Sequence, residues 1–177
     1  MRRDLFIHFS FWIFFFVALS LVRGFLVLDY WPFWLGGLVG VILPDIDHLI
    51  YVFFMSPQDL TSQRVNFLLG KKEVGRAIEL LYETRSERKG LIFHTIFFQV
   101  IFLALTFWLM SSSVSIFGKG LVLSFSLHLL VDQLIDLTEL KNLDNWKGIF
   151  PVNFNFRQSE TYFGVVIFLI CIMGFLM

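Results

Sequence analysis

The sequence is poor in cysteine, in proline and in charge: one Cys, four Pro and 16% charged residues in 177 positions. The single Cys171 excludes an intramolecular disulfide and a cysteine metal cluster. Soluble domains carry about 25% charged residues. The shortfall here, with 14 basic residues against 14 acidic ones, excludes a disordered chain, an acidic or basic tail protein and a nucleic-acid binder working through a basic surface. Apolar residues are abundant instead, at 57% with 24 Phe. They fall in runs long enough to cross a bilayer, so the chain reads as one all-α membrane domain over 1–177, a polytopic helix bundle of about five spans.

The first run, 5–28, follows Arg2 and Arg3 and continues past the poor cleavage site Ala18-Leu19-Ser20, so it reads as a retained anchor rather than a signal peptide. The second, 33–55, is interrupted by Leu43-Pro44-Asp45-Ile46-Asp47-His48. Runs 91–117 and 120–140 follow, and 161–177 is a fifth, short for a full span and expected to tilt or thin the bilayer. With the N-terminus inside, 12 of the 14 basic residues fall in cytoplasmic segments, which predicts a multi-pass protein of the cytoplasmic (inner) membrane with a cytoplasmic N-terminus. Between runs two and three, 56–90 carries seven basic residues, with Phe67, Val74, Ala77, Ile78 and Leu81 at roughly helical period. That predicts a cytoplasmic amphipathic helical insertion, lying on anionic lipid or serving as a lid over a site.

Within the spans the charge is one-sided. Spans two to four contain Asp45, Asp47, Asp132 and Asp136, with Glu139 at the edge and no Lys or Arg, and they hold His48, His94 and His128. An unpaired Asp near the bilayer centre costs about 3 kcal/mol, so these acids need a countercharge. Aspartate and histidine without lysine or arginine form the ligand set of a divalent metal, which supplies that charge and binds neutral imidazoles. His128 and Asp132 are four apart on one helical face, and Asp136 continues it. Asp45 and His48 share a face, whereas Asp47 points away unless the helix breaks, and Pro44 predicts such a break. Gly36-x-x-x-Gly40 predicts close approach of a neighbouring helix. The predicted topology places all these groups in the inner leaflet. The alternatives are a proton or ion pathway, and, for Asp136 and Glu139, simply the wet end of a span. His8 stands alone near the start of the first run and reads as structural.

Gly40-x3-Pro44-Asp45-Ile46-Asp47-His48, then Gly90-x3-His94-Thr95, then His128-x3-Asp132 followed by Trp146-x3-Phe150-Pro151, resembles the YdjM-like family of inner-membrane metal-dependent hydrolases over about residues 33–155. In the second block the glycine sits one residue further upstream of His94 than in the family pattern, and no histidine precedes it. The resemblance implies the ligand set Asp45, Asp47, His48, His94, His128 and Asp132. A distant similarity of the family to zinc-dependent phospholipase C and P1-type nucleases implies phosphoester chemistry.

The reading is a membrane-embedded hydrolase in which zinc, manganese or iron activates water against a phosphoester of a lipid or lipid-linked substrate at the inner leaflet. Asp47 or Asp136 is the candidate general base. Arg85, Arg88 and Lys89 are placed to bind an anionic headgroup, or else act as ordinary positive-inside anchors. Membrane lipids are the expected partners, and nucleic acid is not. The alternative is a divalent-metal or proton transporter or a metal-stabilised non-enzymatic membrane protein. For a transporter of about five spans without an inverted repeat, a homodimer would restore symmetry.

Overall fold

The computed structural model describes residues 2–88, 90–113, 115–148 and 155–176, so Lys89 and the Phe150-Pro151 pair lie outside the described residues. The protein is an all-helical bundle, and among the described residues there is no strand. Four helical segments are long and apolar enough to cross a membrane, which makes this a membrane protein.

Helix α1 (Arg2–Arg23) buries Trp12, Phe16 and Leu19 and turns Phe6, Phe14 and Leu21 outward. Outward phenylalanine and leucine are costly in water and are solvated by lipid tails. The helix stops at Gly24, whose φ of +73° suits the left-handed position after a C-cap, and Phe25 N–H donates back to the Ser20 carbonyl at 2.9 Å.

The second span runs from Leu28 to Met55 and contains α2 (Trp31–Ile42) and α3 (Ile46–Ile50). The break predicted at Pro44 is milder than a discontinuity. The chain tightens into one 3₁₀ turn, Leu43–Asp45, and continues, then loosens into a π-helical turn at Tyr51–Met55. Because Pro44 has no N–H, the turn before it loses a helical bond, and its carbonyls are free to find partners elsewhere.

Beyond Met55, α4 (Leu60–Gly70) and α5 (Val74–Glu83) form a hairpin rather than the single amphipathic helix expected. Lys72 adopts φ of 60°, and Lys72 and Glu73 N–H close on the Leu69 and Leu68 carbonyls, which ends α4. Val65, Ala77 and Leu81 pack on Tyr51, Val52 and Leu91, so the hairpin caps that end of the bundle, while Phe67, Val74 and Ile78 stay exposed.

Helix α6 (Ile96–Ser111) is the short apolar helix, about 24 Å long against the roughly 30 Å of a bilayer core. The run expected to span from 91 loses its first five residues to an irregular segment, and the Thr95 side chain then caps the helix by accepting from Phe98 N–H. The last helix, α8 (Phe156–Phe175), is conversely full length, because a capping box between Asn155 and Gln158 starts it five residues before the apolar run. The short span is therefore the third, not the fifth.

Helix α7 (Ile116–Glu139) is the central, most buried span and packs on α1, α2, α6 and α8. Its closest partner is α2. A Cβ at Gly36 would collide with the Phe117 carbonyl, one at Gly40 with the Leu121 carbonyl, and one at Gly120 with the Phe33 carbonyl. The small-residue spacing thus brings two backbones together, as expected. Gln99, Gln133 and Tyr162 then tie α6, α7 and α8 by side-chain hydrogen bonds.

Candidate metal centre

The close α2–α7 contact sets the site. His128, Asp132 and Asp136 occupy successive turns of one α7 face. His128 Nδ1 donates to the Val41 carbonyl at 2.6 Å, in the turn that Pro44 unsettles. With its hydrogen on Nδ1, the neutral imidazole presents a lone pair at Nε2. That Nε2 lies 3.3 Å from Asp132 Oδ2 and 3.7 Å from Asp45 Oδ1, two acceptors, and makes no hydrogen bond.

His8 repeats the arrangement from α1. Its Nδ1 donates to the Asp4 carbonyl at 2.8 Å, and its Nε2 lies 3.1 Å from Asp132 Oδ1 with no hydrogen bond. The two imidazoles lie 4.2 Å apart between centroids. A lone pair facing a carboxylate oxygen is repulsive unless a cation lies between them, and an imidazole fixed through its far N–H is the usual arrangement of a metal ligand. His8, His128 and Asp132, all buried, bring one potential ligand atom each within 4.8 Å of the others. This donor set of two imidazoles and a carboxylate fits a divalent ion.

His94 closes the other side, with Nε2 at 2.8 Å from Asp132 Oδ2 and Nδ1 at 3.2 Å from Asp47 Oδ2. Asp47 also accepts N–H bonds from Ile92, Phe93 and His94. It therefore holds the irregular segment before α6 and orients the His94 ring, and it is not grouped with His8, His128 and Asp132 as a ligand or base. His48 is outside the group as well, its Nδ1 engaged by the Arg88 Nε–H at 3.2 Å. Its ring stacks 5.3 Å from that of His94. Asp45, partly exposed, stays near the centre through His128.

The expectation that these carboxylates have no arginine partner is corrected. Arg85 comes back from the turn after α5, with Nη1 at 2.7 Å from Asp132 Oδ1 and Nη2 at 3.7 Å from Asp136 Oδ1. Burial pulls the Arg85 pKa down, but Asp132, Asp136, Asp45 and Asp4 outweigh it and the net shift is upward. Arg88 is buried on His48, Thr84 Oγ1 and the Leu81 carbonyl. Burial and the neighbouring Arg85 charge push its pKa down to about 10. Burial, then Asp45 and Asp132, raise the pKa of Tyr82, which lies beside them.

Asp136 faces a cleft of about 150 Å³ lined also by Arg85, Arg88, His94 and Trp146. Trp146 Nε1 donates to Asp136 Oδ2 at 2.7 Å, and its buried ring lies 5.6 Å from that of His94. Sequence reasoning missed His8 as a member of the group and Trp146 as the partner of Asp136, and it placed Arg85 at an anionic headgroup rather than on Asp132. A signal for His8 was present: the topology that put Asp132 near the N-terminal end of the bundle puts His8 at the same depth.

No protein-family model matches the chain, no curated protein is significantly similar to it, and no solved structure matches it.

Proposed function

We propose that the protein is a membrane-embedded metal-dependent hydrolase of phosphoesters, with its N-terminus and the 56–90 hairpin on the cytoplasmic side of the inner membrane. The observation carrying this reading is the pair of buried, unbonded Nε2 atoms of His8 and His128 turned on one carboxylate, Asp132. The resemblance to the YdjM-like hydrolases supports the same reaction class. His8, His128 and Asp132 would hold the ion, with His94 and Asp45 adjacent. These nitrogen and oxygen donors suit zinc first, and manganese or iron also.

When bound, a divalent ion supplies water activation at neutral pH and polarises the ester oxygen. The chain supplies the rest. Asp136 lies off the donor group and on the polar cleft, so it receives the water proton as the water oxygen bonds to phosphorus. The phosphorus–oxygen bond to the leaving alcohol then breaks, and the proton passes from Asp136 to that oxygen. Arg85 and Arg88 line the same cleft and offer guanidinium donors to the phosphoryl oxygens. Asp47 keeps His94 in register.

The test is hydrolysis of bis(4-nitrophenyl) phosphate by purified protein reconstituted with zinc or manganese. His128→Ala and Asp132→Ala lose metal and turnover while keeping helix content. Asp136→Asn keeps metal and loses about 10²–10⁴-fold in turnover, the usual worth of a general base. Metal-dependent flux into liposomes without turnover of any ester would overturn the reading in favour of transport.

A further inference from the structure

Two clefts meet at the site, and they differ in character. The polar one, described above, opens beside the end of α7. The second, of about 150 Å³, lies between α1, α3 and α5. Its walls are Leu5, Leu49, Ile78 and Leu81, and its floor carries His8, Asp45, His48 and Asp132. Tyr82 and Arg85 line both clefts and form the partition between them.

The apolar cleft opens among exposed apolar side chains. Leu49 is 43% and Ile78 41% exposed, and the adjoining Ile46 and Phe6 also face outward, on helices of two membrane spans or on the hairpin above them. A mouth bordered in this way faces lipid rather than water. An apolar channel that ends on the unbonded, buried Nε2 of His8 and on Arg85 suits a molecule with a hydrocarbon end and a phosphoryl group next to it. The polar cleft sets the charge beyond the phosphoryl group. Asp4, Glu83, Asp136 and Glu139 line it against Arg85 and Arg88, so a headgroup bringing a second negative charge meets a wall with excess carboxylate.

We infer that the substrate is a zwitterionic phospholipid that reaches the site sideways from the bilayer, its acyl chain between α1, α3 and α5, its phosphate at Arg85 and its amine headgroup in the acid-lined cleft. This rests on the proposed hydrolase reading for the chemistry, but binding and route are testable without turnover. An α2–α7 site open only to the polar cleft would instead serve a soluble phosphoester.

The experiment uses the full chain in vesicles containing phosphatidylethanolamine with a diazirine on its acyl chain. Photolysis is expected to label the peptides carrying Leu49 and Ile78. Ile78→Trp, which fills the channel, should lower that labelling by about tenfold, the loss expected when two methylenes leave an apolar site. Its bound metal should stay at the wild-type level, which shows that the site remains folded. Unlabelled phosphatidylethanolamine should compete better than phosphatidylglycerol. Labelling spread over all lipid-facing helices and unchanged in Ile78→Trp, or equal competition by the two lipids, overturns the inference. Channel labelling without phosphodiester turnover by the wild-type protein would keep this inference and remove the hydrolase reading. Turnover of bis(4-nitrophenyl) phosphate without channel labelling would do the reverse.

Discussion

Two histidines near the same end of the bundle should respond in opposite ways to substitution. His8 aims an unbonded Nε2 at Asp132 from 3.1 Å, whereas His48 accepts from Arg88 through Nδ1 and, when neutral, carries its hydrogen on the other nitrogen. Loss of a group that merely orients a ligand costs about 10–100-fold in metal affinity. Removal of a donor nitrogen should exceed that, so His8→Ala is expected to weaken zinc binding by at least about 100-fold, or about 2.7 kcal/mol. His48→Ala removes no donor of the group, and its effect should stay below about tenfold.

The assay is competition for zinc with a chromogenic chelator in detergent, paired with elemental analysis and circular dichroism. Because His8 is buried and its ring lies 4.2 Å from that of His128, the alanine variant also opens a cavity. His8→Phe fills most of that space and supplies no nitrogen, so it separates lost packing from lost ligation. Zinc affinity of His8→Phe within about threefold of wild type, or a larger loss in His48→Ala than in His8→Ala, would refute the reasoning.

Asp47→Asn keeps one acceptor oxygen for the 92–94 amides but no longer fixes the His94 tautomer; metal affinity should fall about 10–100-fold with helix content intact, read by the same competition. Gly40→Leu forces α2 off the Leu121 carbonyl and should destabilise the bundle by about 1–3 kcal/mol, seen as a lower thermal unfolding midpoint in detergent, with weaker metal binding because the Val41 carbonyl moves from His128. Trp146→Phe keeps the ring beside His94 but removes the N–H held by Asp136 at 2.7 Å, so turnover should fall while metal content is unchanged. Arg85→Gln takes a positive charge off Asp132, so zinc affinity should rise while the Michaelis constant for a phosphodiester increases.

The bundle was largely legible because bilayer solvation writes itself into composition. Apolar runs located α1 and α7, and Gly36-x-x-x-Gly40 announced the backbone contact with α7. What failed was local. The apolar stretch from 91 looks helical by hydropathy, yet its amides serve Asp47, a bond partner 45 to 47 residues away that no local pattern contains. The polar start of α8 looks like loop, yet Asn155 and Gln158 satisfy the free N–H groups that a helix start exposes, and the helix begins there. Similarly, helical periodicity joined Phe67 to Leu81, whereas backbone closure at Lys72 parted them.

The site was half legible. Counting charges within spans found Asp132, His128 and His94 together, because helical spacing and depth are sequence properties. The same count declared the acids unpaired, and here it misled, since Arg85 reaches Asp132 from outside the spans and charge neutrality is a property of space rather than of segments. An arginine answers the charge but not the lone pairs. A single guanidinium on Asp132 leaves the Nε2 atoms of His8 and His128 facing carboxylate oxygens with nothing between them. Protons would satisfy those contacts by making two imidazolium rings 4.2 Å apart, each repelling the other and Arg85. One divalent ion satisfies both nitrogens and Asp132 at once. The case for metal therefore rests on hydrogen positions imposed by the Asp4 and Val41 carbonyls, two backbone atoms that sequence alone does not place.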